Sequence, residues 1–501
     1  MIFLDKMKRL IDEAKRMISL NSVTSNGNEE LANYVVGLLR ERGIRSQLQQ
    51  VTHSMEGISK RQFNVIGIIG DPLVDRKIRK GLLFSSHLDT VSPGLKENWT
   101  ETAGDPFTAV TRERKIFGLG AADAKLDFLC KIHAAGRLRE KKLQNPLYLV
   151  GTCGQELGMF GAKYLIKALS LNPRYVLIGE PTDLNLVHAH KCDSIFKVSI
   201  GYQQVEKDAR GFNRKIQLQS FGVSAHAAHP EGGKNAIFGL LDFLQRAVDS
   251  GFELRFTDFQ GGDTVNKVPD SAAAKFFLTS HQLEDFKRFF REMVRVEGNE
   301  KAFRVELGGV GETGVRFLPD SVFGCISEIV GLFEKIAADL GKVTDESYSP
   351  PHSTVNFGKL TQRLGAIDLS FDVRLLPDLS LEDIEAHIGQ GVQKIAKGYP
   401  SLNLSAQQER TNPGLNLNID SALATICAET QKAADIPQGF SKRSTATEAA
   451  QFSRAGYDVM VFGPGPALNS SHCPNEYNLL DQIERATVFY EKLIERLCIT
   501  S

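Results

Sequence analysis

Cysteine is scarce in this sequence: seven among 501 residues, an odd number with no two at C-x-x-C spacing, which excludes a disulfide framework and fits a reducing compartment. Each thiol reads as a small buried apolar group. Long apolar runs are missing as well, since those at 65–69 and 236–241 fall far short of the ~20 residues a spanning helix needs. Net charge is absent: sixty Lys and Arg balance sixty Asp and Glu, so no global field draws the chain to nucleic acid or an anionic membrane. Residues 1–8 mix acidic, basic and apolar types and show no secretory signal. A soluble, cytoplasmic protein is expected.

What is present is ordinary globular composition, 42% hydrophobic and 24% charged, which sets aside disordered and collagen-like classes. At roughly 150 residues per domain the length suggests about three units, and fewer, larger ones would serve equally well. Leu4, Met7, Leu10, Ile11, Ala14 and Ile18 recur at helical steps, and 29–42 repeats the pattern, so the chain opens with two helices. Short apolar runs at 64–69, 81–86, 146–152 and 174–179 alternate with helical stretches at 124–140 and 161–168, the texture of βαβ units around a buried sheet. From about 194 the strands lengthen and alternate, which predicts an α+β insertion ending near 410. A helix over 421–433 and a buried strand over 458–462 follow. The expected organisation is a first domain segment at 1–195, an insertion at 196–410 and a closing segment at 411–501.

Chemistry-bearing residues gather just past these runs, where open α/β sheets bind ligands. His87-Leu88-Asp89 follows 81–86; taken alone it reads as a turn His beside a turn Asp sooner than as a metal site. Asp123, in Gly118-Leu119-Gly120-Ala121-Ala122-Asp123-Ala124-Lys125, reads alone as a helix N-cap, and its glycines resemble a dinucleotide loop only loosely. Gln155-Glu156 follows 147–150, Glu180 follows 176–178, and His472 lies in Ser470-Ser471-His472-Cys473-Pro474-Asn475-Glu476 beyond 459–462. Mixed imidazole and carboxylate donors without thiolates suit zinc, and also manganese or cobalt; one carboxylate can bridge two ions. That is hydrolase chemistry.

As an ordered set these motifs resemble the co-catalytic zinc metallopeptidases and deacylases that include acetylornithine deacetylase, succinyl-diaminopimelate desuccinylase, aminoacylase and carboxypeptidase G. The resemblance covers nearly the whole chain. It implies an α/β catalytic domain, its mixed sheet flanked by helices, interrupted by an α+β lid domain, and a site for two Zn2+, with Co2+ or Mn2+ as alternatives. Carried over by resemblance, His87 and Glu180 bind one metal, Glu156 and His472 the other, Asp123 bridges, and Asp89 orients His87.

Gln155 departs from the family pattern. Relatives usually carry two successive glutamates here, the first being the general base. An amide keeps the shape but has no titratable proton near neutral pH, and losing a positioned base typically removes about 10²- to 10⁴-fold in rate.

The insertion carries Gly222-Val223-Ser224-Ala225-His226-Ala227-Ala228-His229-Pro230, where the resemblance gives His226 the role of steadying the substrate oxyanion. Asn356 and Arg374 resemble positions that hold a substrate carboxylate; the alternative for Arg374 is a strand arginine paired with Asp372 or Asp378. Residues 261–270 look like the family's lid signature and 356–377 like a second version, so two lid halves are expected in one chain. In relatives a dimer partner donates the lid histidine, whereas a dipeptidase branch has an enlarged lid that imitates the partner.

The reading is therefore a metallopeptidase or amidohydrolase for an N-acyl amino acid or short peptide bearing a carboxylate, the dipeptidases and carboxypeptidases included, with the activity of this chain in doubt because of Gln155. It takes a small-molecule or short-peptide substrate, no nucleic acid and no membrane, with a monomer favoured and a homodimer the alternative. The alternative is a catalytically dead binding protein retaining the fold.

Overall fold

The computed structural model describes residues 2–52, 60–71, 79–168, 171–203, 211–296, 301–310, 315–468 and 470–499. The chain divides into two units, Met1–His190 with Leu415–Ser501, and Lys191–Gly414.

The first unit is built on a nine-stranded mixed sheet. In spatial order its strands are Arg45–Val51, Gln62–Ile69, Leu147–Thr152, Leu82–His87, Tyr175–Gly179, Asp458–Val461, Leu186–His190 and Leu415–Asn416, with Phe440–Arg443 also pairing with Leu186–His190. Leu82–His87 runs parallel to both Leu147–Thr152 and Tyr175–Gly179. All three are buried along their length, which is why they read as unbroken apolar runs rather than as alternation.

Successive side chains serve opposite faces. Leu82 and Phe84 join a core with Leu10, Leu31, Leu129, Leu423 and Phe489, from five helices on one side. Leu83 joins Leu165 and Phe452, from the helices Phe160–Ala168 and Ala449–Arg454, on the other. Because the central strands are parallel, their carboxyl ends lie side by side: His87 is in register with Thr152, and Ser86 with Gly179. The loops that follow start from one edge of the sheet.

The second unit is an eight-stranded antiparallel sheet with four principal helices, made of two repeats nested one inside the other. The inner repeat runs strand Phe212–Phe221, helix Ala236–Asp249, strands Arg255–Gly261 and Ser271–Thr279, helix Leu283–Val296, strand Phe303–Val310. The outer repeat begins at strand Asp193–Gly201 and resumes, after the inner one, with helix Ser321–Leu340, strands Thr354–Arg363 and Ala366–Arg374, helix Leu381–Gly398 and strand Asn403–Asn412. Each is βαββαβ, and within each the strands lie in the order fourth, first, third, second. The two second strands meet edge to edge, Gln260 opposite Thr361 and Gly261 opposite Leu360, and so join the repeats into one sheet. One apolar core serves both, from Ile216, Leu240 and Phe276 to Phe333, Leu369 and Phe371.

Among the described residues no helix is long and apolar enough to cross a membrane.

Candidate metal centre

Five segments of the first unit supply the five candidate ligands. His87 ends its strand, and Nε2 lies 2.8 Å from Asp123 Oδ1. His472 Nε2 lies 3.0 Å from Glu156 Oε1 and 3.5 Å from Asp123 Oδ2. Two groups of three candidate ligands result, His87 with Asp123 and Glu180, and Asp123 with Glu156 and His472; within each, the ligand atoms lie within 4.8 Å of one another. Asp123 is common to both, one oxygen towards each imidazole. The first group is wholly buried, whereas the His472 side chain is 29% exposed, so the second group opens to solvent.

Asp89 is the hub beneath them. Its carboxylate accepts from Thr24 Oγ1 (2.7 Å) and from the backbone N–H groups of Gln155 and Glu156 (both 3.2 Å), which pins the turn carrying Glu156. His87 Nδ1 is held at 3.0 Å by the Asp89 main-chain carbonyl, with carboxylate Oδ1 further away at 3.7 Å. The backbone atom thus makes the closer contact on that face of the ring.

Burial penalises every charge here, yet the charges compensate. Against that penalty, hydrogen bonds to Asp123 and Asp89 hold His87 well above the usual imidazole range, and those from His472 and His87 hold Asp123 well below the carboxylate range. Burial pushes Glu180 upward, opposed by the guanidinium of Arg443, whose Nη1 lies 3.3 Å from Glu180 Oε2. Arg443 closes the Phe440–Arg443 strand and carried no signal in the sequence.

The loop 118–123 is neither an N-cap nor a phosphate cradle. Helix Lys125–Arg137 begins after Ala124 without a side-chain cap, because the Asp123 carboxylate is turned to the imidazoles. The N–H groups of Gly120, Ala122 and Asp123 point instead at the carboxylate of Glu476, which burial pushes up to about 7. Glu476 stands four residues after His472, in the motif that marked that histidine, but nothing in the sequence assigned it a partner.

Gln155 lies beside the first group. Its Nε2 donates to Glu180 Oε1 at 3.3 Å, and its Oε1 is buried with no hydrogen-bond partner among the described residues.

The remaining candidates belong to the second unit. His226 Nδ1 accepts from the Ala228 N–H at 3.0 Å, which makes Nε2 the protonated nitrogen of the neutral ring. Asn356, buried in the strand Thr354–Arg363, donates from Nδ2 to the carbonyls of Val265 (3.3 Å) and Lys267 (3.0 Å) and so braces the inner repeat's hairpin loop. Arg374, 4% exposed, is paired with Asp372.

A sequence profile of peptidase family M20/M25/M40 matches residues 83–496. Acetylornithine deacetylase of Photorhabdus laumondii subsp. laumondii is 23% identical, covering 99% of both chains. That of Pectobacterium carotovorum subsp. carotovorum is 32% identical over 47% of this chain and 52% of its own. Among solved structures, aminoacylhistidine dipeptidase from Vibrio alginolyticus superimposes with a TM-score of 0.60 at 16% identity, covering 98% of this chain and 97% of that one. With ligand-type side chains gathered at the carboxyl edge of the sheet and the family profile spanning most of the sequence, the chain belongs to peptidase family M20/M25/M40.

Proposed function

We propose that this hydrolase-family chain binds two divalent cations, zinc foremost, and acts on the amide bond of an N-acyl amino acid or short peptide with a free carboxylate. The observation that carries this is the sharing of Asp123 between two three-ligand groups. The donor set fits: imidazole nitrogens and carboxylate oxygens with no thiolate suit zinc, cobalt or manganese. His87 and Glu180 would hold one cation and Glu156 and His472 the other, with Asp123 available to both. When bound, such ions polarise a substrate carbonyl and lower the pKa of water.

The protein's own groups do the rest. Asp89 keeps His87 and the Glu156 turn in place. By resemblance His226 steadies the developing oxyanion; with Nδ1 accepting from the Ala228 N–H, the neutral ring carries its proton on Nε2, the nitrogen that role would use. Asn356 and Arg374 are assigned to the substrate carboxylate by resemblance alone, since Asn356 Nδ2 is engaged by the carbonyls of Val265 and Lys267, and Arg374 by Asp372.

Gln155 occupies the position of the family's general base and has no carboxylate to accept a proton, so turnover is expected to lie roughly 10²- to 10⁴-fold below that of a glutamate variant. A carboxylate at 155 would face Glu180 across the present 3.3 Å contact, and like charge so close raises proton affinity towards neutrality, where a base works best. The test measures hydrolysis of N-acyl amino acids and dipeptides by the zinc-loaded chain and its Gln155→Glu variant. Gain of turnover in the variant supports the reading. Tight substrate binding with no turnover in either favours the second reading, a binding protein that kept the fold, for which the amide at 155 speaks.

The chain is further proposed to be a monomer, since the inner repeat already pairs with the edge of the outer one; the cytoplasmic placement rests on the sequence, with its few unpaired cysteines. A dimeric mass by light scattering would contradict the monomer.

A further inference from the structure

Glu476 is 2% exposed, and among the described residues its carboxylate is satisfied by backbone rather than by a cation. Oε1 accepts from the N–H groups of Ala122 (2.8 Å) and Asp123 (3.0 Å), and Oε2 from that of Gly120 (2.9 Å). Its own carbonyl accepts from the Gly118 N–H at 2.9 Å. N–H groups of one loop turned inward form an anion-binding concavity, filled here by a side chain of the same protein. Gly120 makes the turn possible: φ is +83°, and a Cβ there would stand 2.8 Å from Lys125 Cδ.

The segment that supplies the clamp also supplies His472. Ser470 Oγ donates to the Tyr477 carbonyl (3.0 Å) and accepts from its N–H (3.1 Å), closing a short arch. His472 rides on that arch in the left-handed region, φ 61°. The aim of Asp123 is thus set by a loop gripped by Glu476, and the aim of His472 by the arch to which Glu476 belongs. His87, Glu156 and Glu180 are placed independently, by strand ends and by Asp89.

Building on the metal-centre reading above, we infer that Glu476 is a positioning residue that ties Asp123 to His472 and thereby couples the two cation groups. The coupling is asymmetric. Two of the three ligands in the group Asp123, Glu156 and His472 depend on the clamp, against one of three in the group His87, Asp123 and Glu180. Loss of the clamp weakens the former group more.

Two measurements test this. In the metal-free wild-type protein, the amides of Gly120, Ala122 and Asp123 exchange hydrogen at least roughly 100-fold slower than unprotected amides. Exchange at the unprotected rate, slowed only after cobalt is added, overturns the inference, because the clamp would then follow the metal rather than precede it. Cobalt titrations followed by visible absorption compare wild type with Glu476→Gln, Glu476→Asp and, as a control for mere destabilisation, Glu13→Gln. In both Glu476 variants the second equivalent binds at least about tenfold more weakly and its absorption changes, while Glu13→Gln lowers the melting temperature and leaves both equivalents as in wild type. Two equivalents bound as in wild type by the Glu476 variants overturn it. Should neither variant fold, the exchange rates decide. Failure of wild type itself to bind cobalt sinks the metal-centre reading and the coupling with it; normal wild-type uptake with unaffected variants sinks the coupling alone.

Discussion

Arg374 donates through Nε and Nη2 to the two carboxylate oxygens of Asp372, at 2.9 and 3.1 Å. The pair does not stand alone: Asp193 Oδ1 lies 3.9 Å from Arg374 Nη2, and Asp193 in turn receives Arg410 Nη2 on both oxygens and Asn412 Nδ2 at 3.1 Å. Two arginines and two aspartates balance within one buried cluster. Removing one partner leaves a buried charge uncompensated, so Arg374→Ala is expected to cost about 3–5 kcal/mol of stability in urea denaturation, and Arg374→Lys, lacking the fork, nearly as much. An unchanged midpoint with a raised KM for acidic substrates would instead assign the guanidinium to substrate alone.

Asp123 belongs to both ligand groups, whereas Glu156 and Glu180 each belong to one. Elemental analysis after zinc loading should therefore find Asp123→Asn depleted of both ions, and Glu156→Gln and Glu180→Gln depleted of one. Zinc at a thousand times its Kd should raise stability by about 4 kcal/mol per site, and a chelator should reverse the gain. Equal stoichiometry in all three variants would refute the sharing.

Away from the site, Glu13 accepts from Arg42 (2.6 Å) and from His133 (2.7 Å). Burial alone would raise its pKa, but the hydrogen bonds from His133 and Arg9 and the charge of Arg42 bring it from 4.5 to about 2. The folded state then binds the proton less readily than the unfolded chain. The stabilisation is complete above the unfolded value and disappears as pH falls from about 5 to 2, on the order of 3 kcal/mol in all. Burial also lowers His133, which adds loss of the same sign below its ordinary value of 6.5. Glu13→Gln should be less stable at pH 7 and show a flatter stability profile below pH 5; parallel profiles for the two proteins would refute the assignment.

Asn235 caps the helix Ala236–Asp249, accepting from the N–H groups of Ile237 and Phe238, while its amide donates to the Phe357 carbonyl of the outer repeat at 2.9 Å. Asn235→Ala should cost about 1–2 kcal/mol in urea denaturation, the upper part of the range reflecting the lost bridge between repeats. Asn235→Ser, which keeps the cap and loses the bridge, should fall between; a wild-type midpoint for the alanine variant would refute the cap.

The parts of this architecture that were legible are those with local periodicity. The buried strand Leu82–His87 announces itself by an unbroken apolar run, the opening helices by their stripes, and the candidate ligands by lying just past such runs. What was hidden depends on contacts without a local signature. Asp123 looks like an N-cap because it precedes a helix, and only the folded chain turns its carboxylate towards His87 and His472. The hold of Glu476 on Gly120 joins residues 356 positions apart, through backbone N–H groups that any sequence has. Arg443 meets Glu180 because a short strand falls beside Leu186–His190, a pairing that no spacing specifies. The second lid signature hinted at duplication, but the nesting shows only once strand order is known.

That nesting has a consequence for the chain as an evolvable object. The outer repeat's first strand, Asp193–Gly201, pairs with Ala366–Arg374 and Asn403–Asn412, so its partners are held entirely by sequence lying beyond the inner repeat. Excising the inner repeat would leave a complete four-stranded sheet, with Thr354–Arg363 as a bare margin whose N–H and C=O groups solicit another molecule's strand. The pairing that covers that margin is thus supplied by one removable cassette, and a chain without it would carry an open edge able to pair with its own copy.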